Sequence, residues 1–139
     1  MQEQDNEKMI RDMYAAFGRG DVATIINHLA ADVEWTLEGP ESIPFAGRRV
    51  GHDQVKQFFQ AMATTQTDHK LTIDEVIAKG DKVVSVGRYA AVVKATGKRI
   101  DGAVAHVFTI RGGKVVKLQD FINTAQTADA YASTMAAGR

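Results

Sequence analysis

The sequence predicts an α+β fold in which three helices pack on the concave face of a cone-shaped, curved antiparallel sheet. Two amphipathic helical segments come first, and a third follows a proline-containing loop. Four strand-like runs then follow one another with short glycine-containing turns between them. Such turns connect antiparallel neighbours, because parallel strands need long crossover connections. A curved sheet covered by helices encloses an interior, so we expect a pocket inside the cone.

The helical segments are recognised by the spacing of their apolar side chains. The first is predicted over Glu3–Phe17, and the glycines after it end it. Asp21 can cap a second helix that carries a buried stripe from Val22 to Leu29. The third runs from His52 to Met62. All three are amphipathic, so we expect each to lie on the sheet.

The strands alternate apolar and polar residues. The first is predicted over Asp32–Leu37, and Glu38–Gly51 is a loop that contains both prolines. We expect the polar run Thr64–Lys70 to separate the third helix from the sheet. The remaining strands are predicted as Leu71–Ala78, Lys82–Val93, Arg99–Ile110 and Lys114–Ile122.

The chain is predicted to be one domain over residues 1–139. Its ordered core extends from about residue 5 to about residue 125, and the tail 124–139 is a short helix or frayed. No internal repeat or linker divides it.

Composition limits the classes of function. Seventeen basic and seventeen acidic residues cancel, so no basic excess is available to neutralise nucleic-acid phosphates. No apolar run approaches the ~20 residues that span a bilayer, and the polar start lacks a signal sequence, so a cytoplasmic location is the default. The chain has no cysteine, and its histidines and carboxylates lack metal-ligand spacing. We therefore expect no cofactor, no metal, no nucleic acid and no membrane partner.

The hairpin Arg99–Asn123 carries the strongest indication of a site. Alternation places His106 in an otherwise apolar row with Val104, Phe108 and Ile110. The next strand places Asp120 in a row with Val116, Leu118 and Ile122. A histidine and a carboxylate that face an apolar interior form an acid/base couple or a costly structural pair. Asp120 is predicted to face inward only if the Gly112–Gly113 hairpin has no bulge.

Arg88 is the third candidate for the catalytic group. It shares a row with Val84, Val86 and Ala90, and from there it could bind a substrate carboxylate or enolate. The other row of the same strand, which begins at Val83, can equally be the inner one. The residues predicted to shape the cavity and bind substrate are Trp35, Tyr14, Phe58, Phe59, Leu118 and Phe108.

Five segments carry a family resemblance. YAAFGRGD (14–21), DVEW (32–35), IPFAGRRVG (43–51), GDKVVSVGR (80–88) and HVFTIRGGKVVKLQDF (106–121) resemble, in this order, the SnoaL-like proteins. These are relatives of ketosteroid isomerase in the nuclear transport factor 2-like superfamily. The resemblance implies the cone-shaped fold and a dimer formed through the sheet. It implies function weakly, because the superfamily includes isomerases, cyclases, epoxide hydrolases, dehydratases and binding domains.

Transfer of family roles to this chain is partial. The tyrosine position of ketosteroid isomerase falls at Met13, one residue before Tyr14, and its base position falls at Leu37. Its protonated-acid position falls at His106, so the resemblance disfavours steroid isomerisation. The inward aspartate of SnoaL-type cyclases matches Asp120. Superfamily epoxide hydrolases use two aspartates and an arginine, and the sequence offers no second inward acid.

The sequence thus predicts a pocket protein for a small hydrophobic molecule, with a carbonyl-containing ligand favoured. One hypothesis is a cofactor-independent isomerase, aldol-type cyclase or dehydratase, with Asp120 as acid/base and His106 as relay. The alternatives are a non-catalytic ligand-binding or dimerisation domain and, third, an epoxide hydrolase. The small outward row Ala103, Ala105, Val107 and Thr109 supports a homodimer.

Overall fold

The computed structural model describes residues 2–132, which form four helices and six strands. The helices are α1 (Gln2–Gly18), α2 (Val22–Asn27), α3 (His52–Thr65) and α4 (Thr124–Tyr131). The strands are β1 (Leu29–Leu37), β2 (Gly47–Val50), β3 (Gln66–Lys79), β4 (Lys82–Val93), β5 (Arg99–Arg111) and β6 (Lys114–Phe121).

The strands form one curved sheet in the order β2-β1-β6-β5-β4-β3. The predicted antiparallel meander is confirmed for β3 to β6, which pair in chain order. β1 is different, because it runs parallel to β6. The stretch predicted as loop contains the short edge strand β2, which pairs antiparallel with β1. The α+β fold is as predicted.

The helices cover the concave face and bury a common core with it. Ile10 of α1, Val55 of α3 and Val33 of β1 are fully buried in this core. Asp21 caps α2 as predicted, because its carboxylate accepts a hydrogen bond from the Thr24 backbone N–H at 3.1 Å. The apolar stripe of each helix therefore faces the sheet, as its spacing predicts.

The polar run 64–70 is not a linker, so this prediction was wrong. β3 begins at Gln66, directly after α3, and pairs there with Val93. Gln66 is 1% exposed, and its amide is hydrogen bonded to the hydroxyls of Tyr89 and Tyr131. A polar residue with satisfied hydrogen bonds can be buried, which a pattern of apolar residues cannot show.

Helix α4 closes the end of the core formed by β4 and β5. Ala130 is buried against Val93 and Ile100, and Tyr131 stacks edge-on against Phe45. The packed part of the chain thus extends to Tyr131. The remainder of the predicted tail, residues 133–139, lies outside the described residues.

The β5–β6 hairpin turns through Gly112 and Gly113, both with positive φ, as a two-residue turn of this hand requires. After the turn the register shifts by one residue, and Val116 is the extra residue on β6. Val115, rather than the predicted Val116, therefore occupies the buried position.

This bulge determines which way Asp120 faces. Uninterrupted pairing from the turn would place Gln119 opposite His106 and turn Asp120 to the outer face. The extra residue Val116 instead places Asp120 directly opposite His106. The predicted condition was therefore wrong, since the bulge turns the carboxylate inward rather than outward.

Candidate functional site

His106 of β5 and Asp120 of β6 meet inside the cone. They are direct cross-strand partners, and His106 Nε2 lies 3.1 Å from Asp120 Oδ1. Their side chains are only 13% and 10% exposed. The two groups predicted from the strand alternation therefore form a buried pair that lines the same cavity.

Tyr14 of α1 extends this pair to three residues. Its hydroxyl lies 2.6 Å from His106 Nδ1, and the two rings stack with centroids 5.8 Å apart. Burial raises the pKa of Tyr14 well above its usual range, and the Asp120 carboxylate adds to the shift, while the Ser85 side chain partly offsets it. Tyr14 is predicted from the sequence only as a cavity wall. Its contact with His106 depends on how α1 crosses the sheet, which the sequence does not specify.

Two proton arrangements are compatible with this geometry. With a neutral imidazole, an Nε2–H faces the Asp120 carboxylate, and Nδ1 accepts the Tyr14 hydroxyl proton. With a protonated imidazole, Nδ1–H donates to the Tyr14 oxygen, and the phenol proton is free to be donated to a ligand. His106 can thus determine whether Tyr14 offers a lone pair or a proton to the cavity.

Two buried polar atoms on residues that line the cavity make no hydrogen bond within the described residues 2–132. They are Asp120 Oδ1 and Trp35 Nε1. His106 Nε2 lies only 3.1 Å from Asp120 Oδ1, but the angles of this contact are not those of a hydrogen bond. Buried polar groups in folded proteins are nearly always paired, so these atoms can bind polar groups of a ligand.

Most of the remaining lining is apolar, and the cavity measures about 100 Å³. Trp35 forms edge contacts with Phe58 and Phe59, each with centroids 5.6 Å apart. All six predicted substrate-binding residues line this cavity. The other large apolar side chains that line it are Met13, Phe17, Ile25, Leu37, Phe45, Met62, Leu71, Ile100, Val104 and Ile122.

Polar side chains that the sequence analysis did not single out line the cavity near α4. Asn123, Gln126 and Thr127 contribute from the start of α4, and Tyr89 contributes from β4. Asn123 also caps α4, with its side-chain oxygen 3.0 Å from the Gln126 backbone N–H. A cap residue before the alanine-rich tail was the available signal for this helix start.

Arg88 does not belong to the site, so its prediction as a catalytic group was wrong. It lies opposite Ala103 on the outer face of the sheet, and its side chain is 60% exposed. There it pairs with Asp101 at 3.3 Å. The inner row of β4 is instead the one that contains Val83 and Ser85, both fully buried.

Within residues 2–132 no group of three or more metal-ligating side chains comes together. In the same range no helix is both long and apolar enough to cross a membrane.

The fold and the cavity define a class of protein: a cone-shaped α+β domain that encloses a small apolar pocket with a buried acid/base pair. Within that class the chain belongs to the SnoaL-like domain family, whose model matches residues 10–118. It is 30% identical to the uncharacterized protein Rv0034 of Mycobacterium tuberculosis over 115 residues, which are 81% of this chain and 85% of that protein.

Solved structures share the fold. An NTF2-like protein of unknown function from Burkholderia pseudomallei is 27% identical with a TM-score of 0.84, and the match covers 93% of this chain and 98% of that one. TerC, co-crystallized with polyporic acid, is also 27% identical, with a TM-score of 0.82 and coverage of 91% and 98%.

Proposed function

We propose that this protein is a cofactor-independent enzyme that transfers protons on a small, hydrophobic carbonyl compound, as an isomerase, an aldol-type cyclase or a dehydratase. The observation that carries the proposal is the contact of Tyr14, His106 and Asp120 in an apolar cavity. A carboxylate in such a place is a base, and a protonated phenol is a hydrogen-bond donor.

Each of the three residues has a role in the proposed reaction. Asp120 removes a proton from the carbon next to the carbonyl group. Tyr14 donates a hydrogen bond to the oxygen on which negative charge develops, and its donor state is favoured when His106 is protonated. Trp35 and Phe59 hold the apolar body of the substrate. Asp120 then returns its proton to another carbon or to the first one.

The comparison with TerC supports a small-molecule ligand. TerC has this fold and was co-crystallized with polyporic acid. Its similarity extends over nearly the whole of this chain, so we expect this chain to bind a small organic molecule as well. Epoxide hydrolysis is not proposed, because within residues 2–132 Asp120 is the only carboxylate that lines the cavity.

The test is exchange of carbon-bound protons with solvent. Acetophenone carries a methyl group next to a carbonyl, and proton NMR in D₂O follows the replacement of its methyl protons by deuterium. We expect the protein to accelerate this exchange. Asp120→Asn and His106→Ala should each reduce the acceleration by roughly 10²–10⁴-fold.

Arg88→Ala is the matched control, because it removes a charged side chain from the outer face of the same sheet. This variant should accelerate the exchange of acetophenone methyl protons as much as the wild type does. Unchanged exchange in Asp120→Asn, with the fold intact by circular dichroism, would show that the carboxylate is not the base. A wild type that binds ligand without accelerating exchange would favour the non-catalytic ligand-binding domain.

We also propose a homodimer formed through the outer face of the sheet. Phe121 is 52% exposed and pairs with Ala105 of β5, next to the half-buried Val107. Thr109, predicted to continue this outward row, is instead buried and accepts a hydrogen bond from Lys82. An exposed apolar patch is typical of an interface.

Sedimentation velocity tests the dimer. The wild type should sediment as a dimer at micromolar concentration, and Phe121→Glu should shift it to monomer, because the substitution places a charge in an apolar contact. A monomeric wild type would contradict the proposal.

A further inference from the structure

We infer that this cavity selects an uncharged carbonyl compound about the size of one ring and excludes carboxylates. The inference rests on the proposed function, because it concerns the ligand of the same cavity. It goes further, because it specifies the charge and the size of that ligand.

The size limit follows from the volume and from the residues that enclose it. The cavity measures about 100 Å³. An engineered protein cavity of ~150 Å³ lined by apolar side chains holds benzene. Trp35, Phe58 and Phe59 pack edge-to-face against one another, so widening the cavity on this side would disturb three aromatic contacts. One ring is therefore about the upper size that the cavity accepts, and a short substituent on that ring requires lining side chains outside this aromatic cluster to adjust.

The charge limit follows from the ionisable groups at the site. Within the described residues 2–132, no lysine or arginine lines the cavity. Its charged groups are Asp120 and, when protonated, His106. With Asp120 ionised, the pair has a net charge of minus one when His106 is neutral and of zero when His106 is protonated. A carboxylate brought into this cavity would lose its hydration without gaining an unpaired cation, which is costly.

The arginine that the sequence placed nearest to the site cannot supply the missing charge. Arg88 lies on the outer face of the sheet, where Asp101 binds it. The backbone of β4 and β5 separates its guanidinium from the cavity.

The uncharged polar atoms of the site fit a carbonyl group better. The Tyr14 hydroxyl is held at His106, and Trp35 Nε1 is buried without a hydrogen bond inside residues 2–132. Hydroxyl and indole N–H groups donate to a neutral oxygen without leaving a charge unpaired. A few such groups in an apolar pocket fix the orientation of a ligand.

The experiment compares two compounds of nearly the same shape. Acetophenone and benzoate differ in that benzoate carries a charged oxygen in place of the methyl group. Binding to the full chain is measured at neutral pH by ligand-detected NMR and by the emission of Trp35, the single tryptophan. We expect acetophenone to bind at least ~100-fold more tightly than benzoate, which is ~2.8 kcal/mol at 1.4 kcal/mol per factor of ten.

Two variants each make the net charge of the cavity more positive by one unit. Asp120→Asn removes the negative charge and should reduce the preference for acetophenone by ~10-fold or more. Met62→Lys adds a cation at a half-buried lining position and should raise the affinity for benzoate. Arg88→Ala should leave the ratio of the two affinities unchanged.

The outcomes separate this inference from the proposed function. Equal or tighter binding of benzoate by the wild type would overturn the inference, as would the absence of acetophenone binding up to its solubility. The same holds if neither Asp120→Asn nor Met62→Lys moves the ratio while both remain folded. A preference for acetophenone without exchange of its methyl protons would contradict only the proposed catalysis.

Discussion

Tyr14→Phe tests the contact between the Tyr14 hydroxyl of α1 and His106 of β5 with the smallest change in side-chain volume. The substitution removes one oxygen atom and keeps the ring, so the edge contact with Phe108 at 6.2 Å remains. It also leaves His106 Nδ1 without the partner that lies 2.6 Å away. The loss is therefore a missing hydrogen bond rather than a cavity.

The expected size of the effect follows from burial. A buried polar atom left without its partner costs ~1–3 kcal/mol. At roughly 4 °C per kcal/mol for a domain of this length, the melting temperature should fall by ~4–12 °C. Exchange of acetophenone methyl protons should fall by roughly 10²–10³-fold, because the donor to the developing oxyanion is lost.

Tyr131→Phe provides the matched control. Its hydroxyl is hydrogen bonded to Thr65 at 2.7 Å and to Gln66 at 2.9 Å, away from the acid/base pair. The control should lose a similar amount of stability, measured by thermal unfolding followed by circular dichroism, and keep the exchange rate of the wild type. If Tyr14→Phe matches the wild type in both stability and exchange, the contact with His106 has no part in the site.

Two further predictions concern stability. Burial raises the pKa of both Tyr14 and Tyr89 above the value of about 10 that unfolded tyrosines have, so above that pH the unfolded chain releases protons that the folded chain retains. The free energy of unfolding should therefore fall with rising pH by ~1.4 kcal/mol per pH unit for each tyrosine. Each phenylalanine variant should remove the share of its own tyrosine, about half of the combined slope, in urea titrations at several pH values. An unchanged slope would contradict the burial of the phenols. Gly87→Ala would place a Cβ 1.9 Å from the Thr72 carbonyl oxygen, so it should destabilise the chain by ~3 kcal/mol or more in chemical denaturation, whereas Gly102→Ala meets only contacts of 3.5 Å and longer and should be tolerated. Equal stability of the two alanine variants would refute the close approach of β3 and β4.

The inward facing of His106 could be predicted because the alternation along β5 is uninterrupted. Asp120 was predicted on the inner face of β6, where it lies, but the sequence does not specify the pairing register with β5 that turns it inward. The bulge at Val116 results from pairing with β5, and a run of consecutive valines and lysines fits either register. The alternation of apolar residues thus identified His106 and Asp120, but it did not predict the strand register that places them opposite each other.

Arg88 shows that alternation alone can also leave the facing of a strand undecided. Both faces of β4 carry small or apolar side chains, so alternation allowed two inner rows and did not distinguish them. The structure resolves the choice through Ser85, a polar residue buried beside His106. Similarly, Gln66 begins β3 inside the core because two tyrosines satisfy its amide, and these partners are distant in sequence. Long-range hydrogen bonds of this kind are not visible in local patterns.

In the proposed reaction, Asp120 removes a carbon-bound proton from a ligand in the cone. The most direct measurement is the rate at which deuterium from D₂O enters the methyl group of acetophenone, compared between the wild type and Asp120→Asn. We expect acceleration by the wild type that saturates with acetophenone concentration, and a rate close to that of buffer alone for the folded variant. Equal rates for the wild type and Asp120→Asn would contradict it.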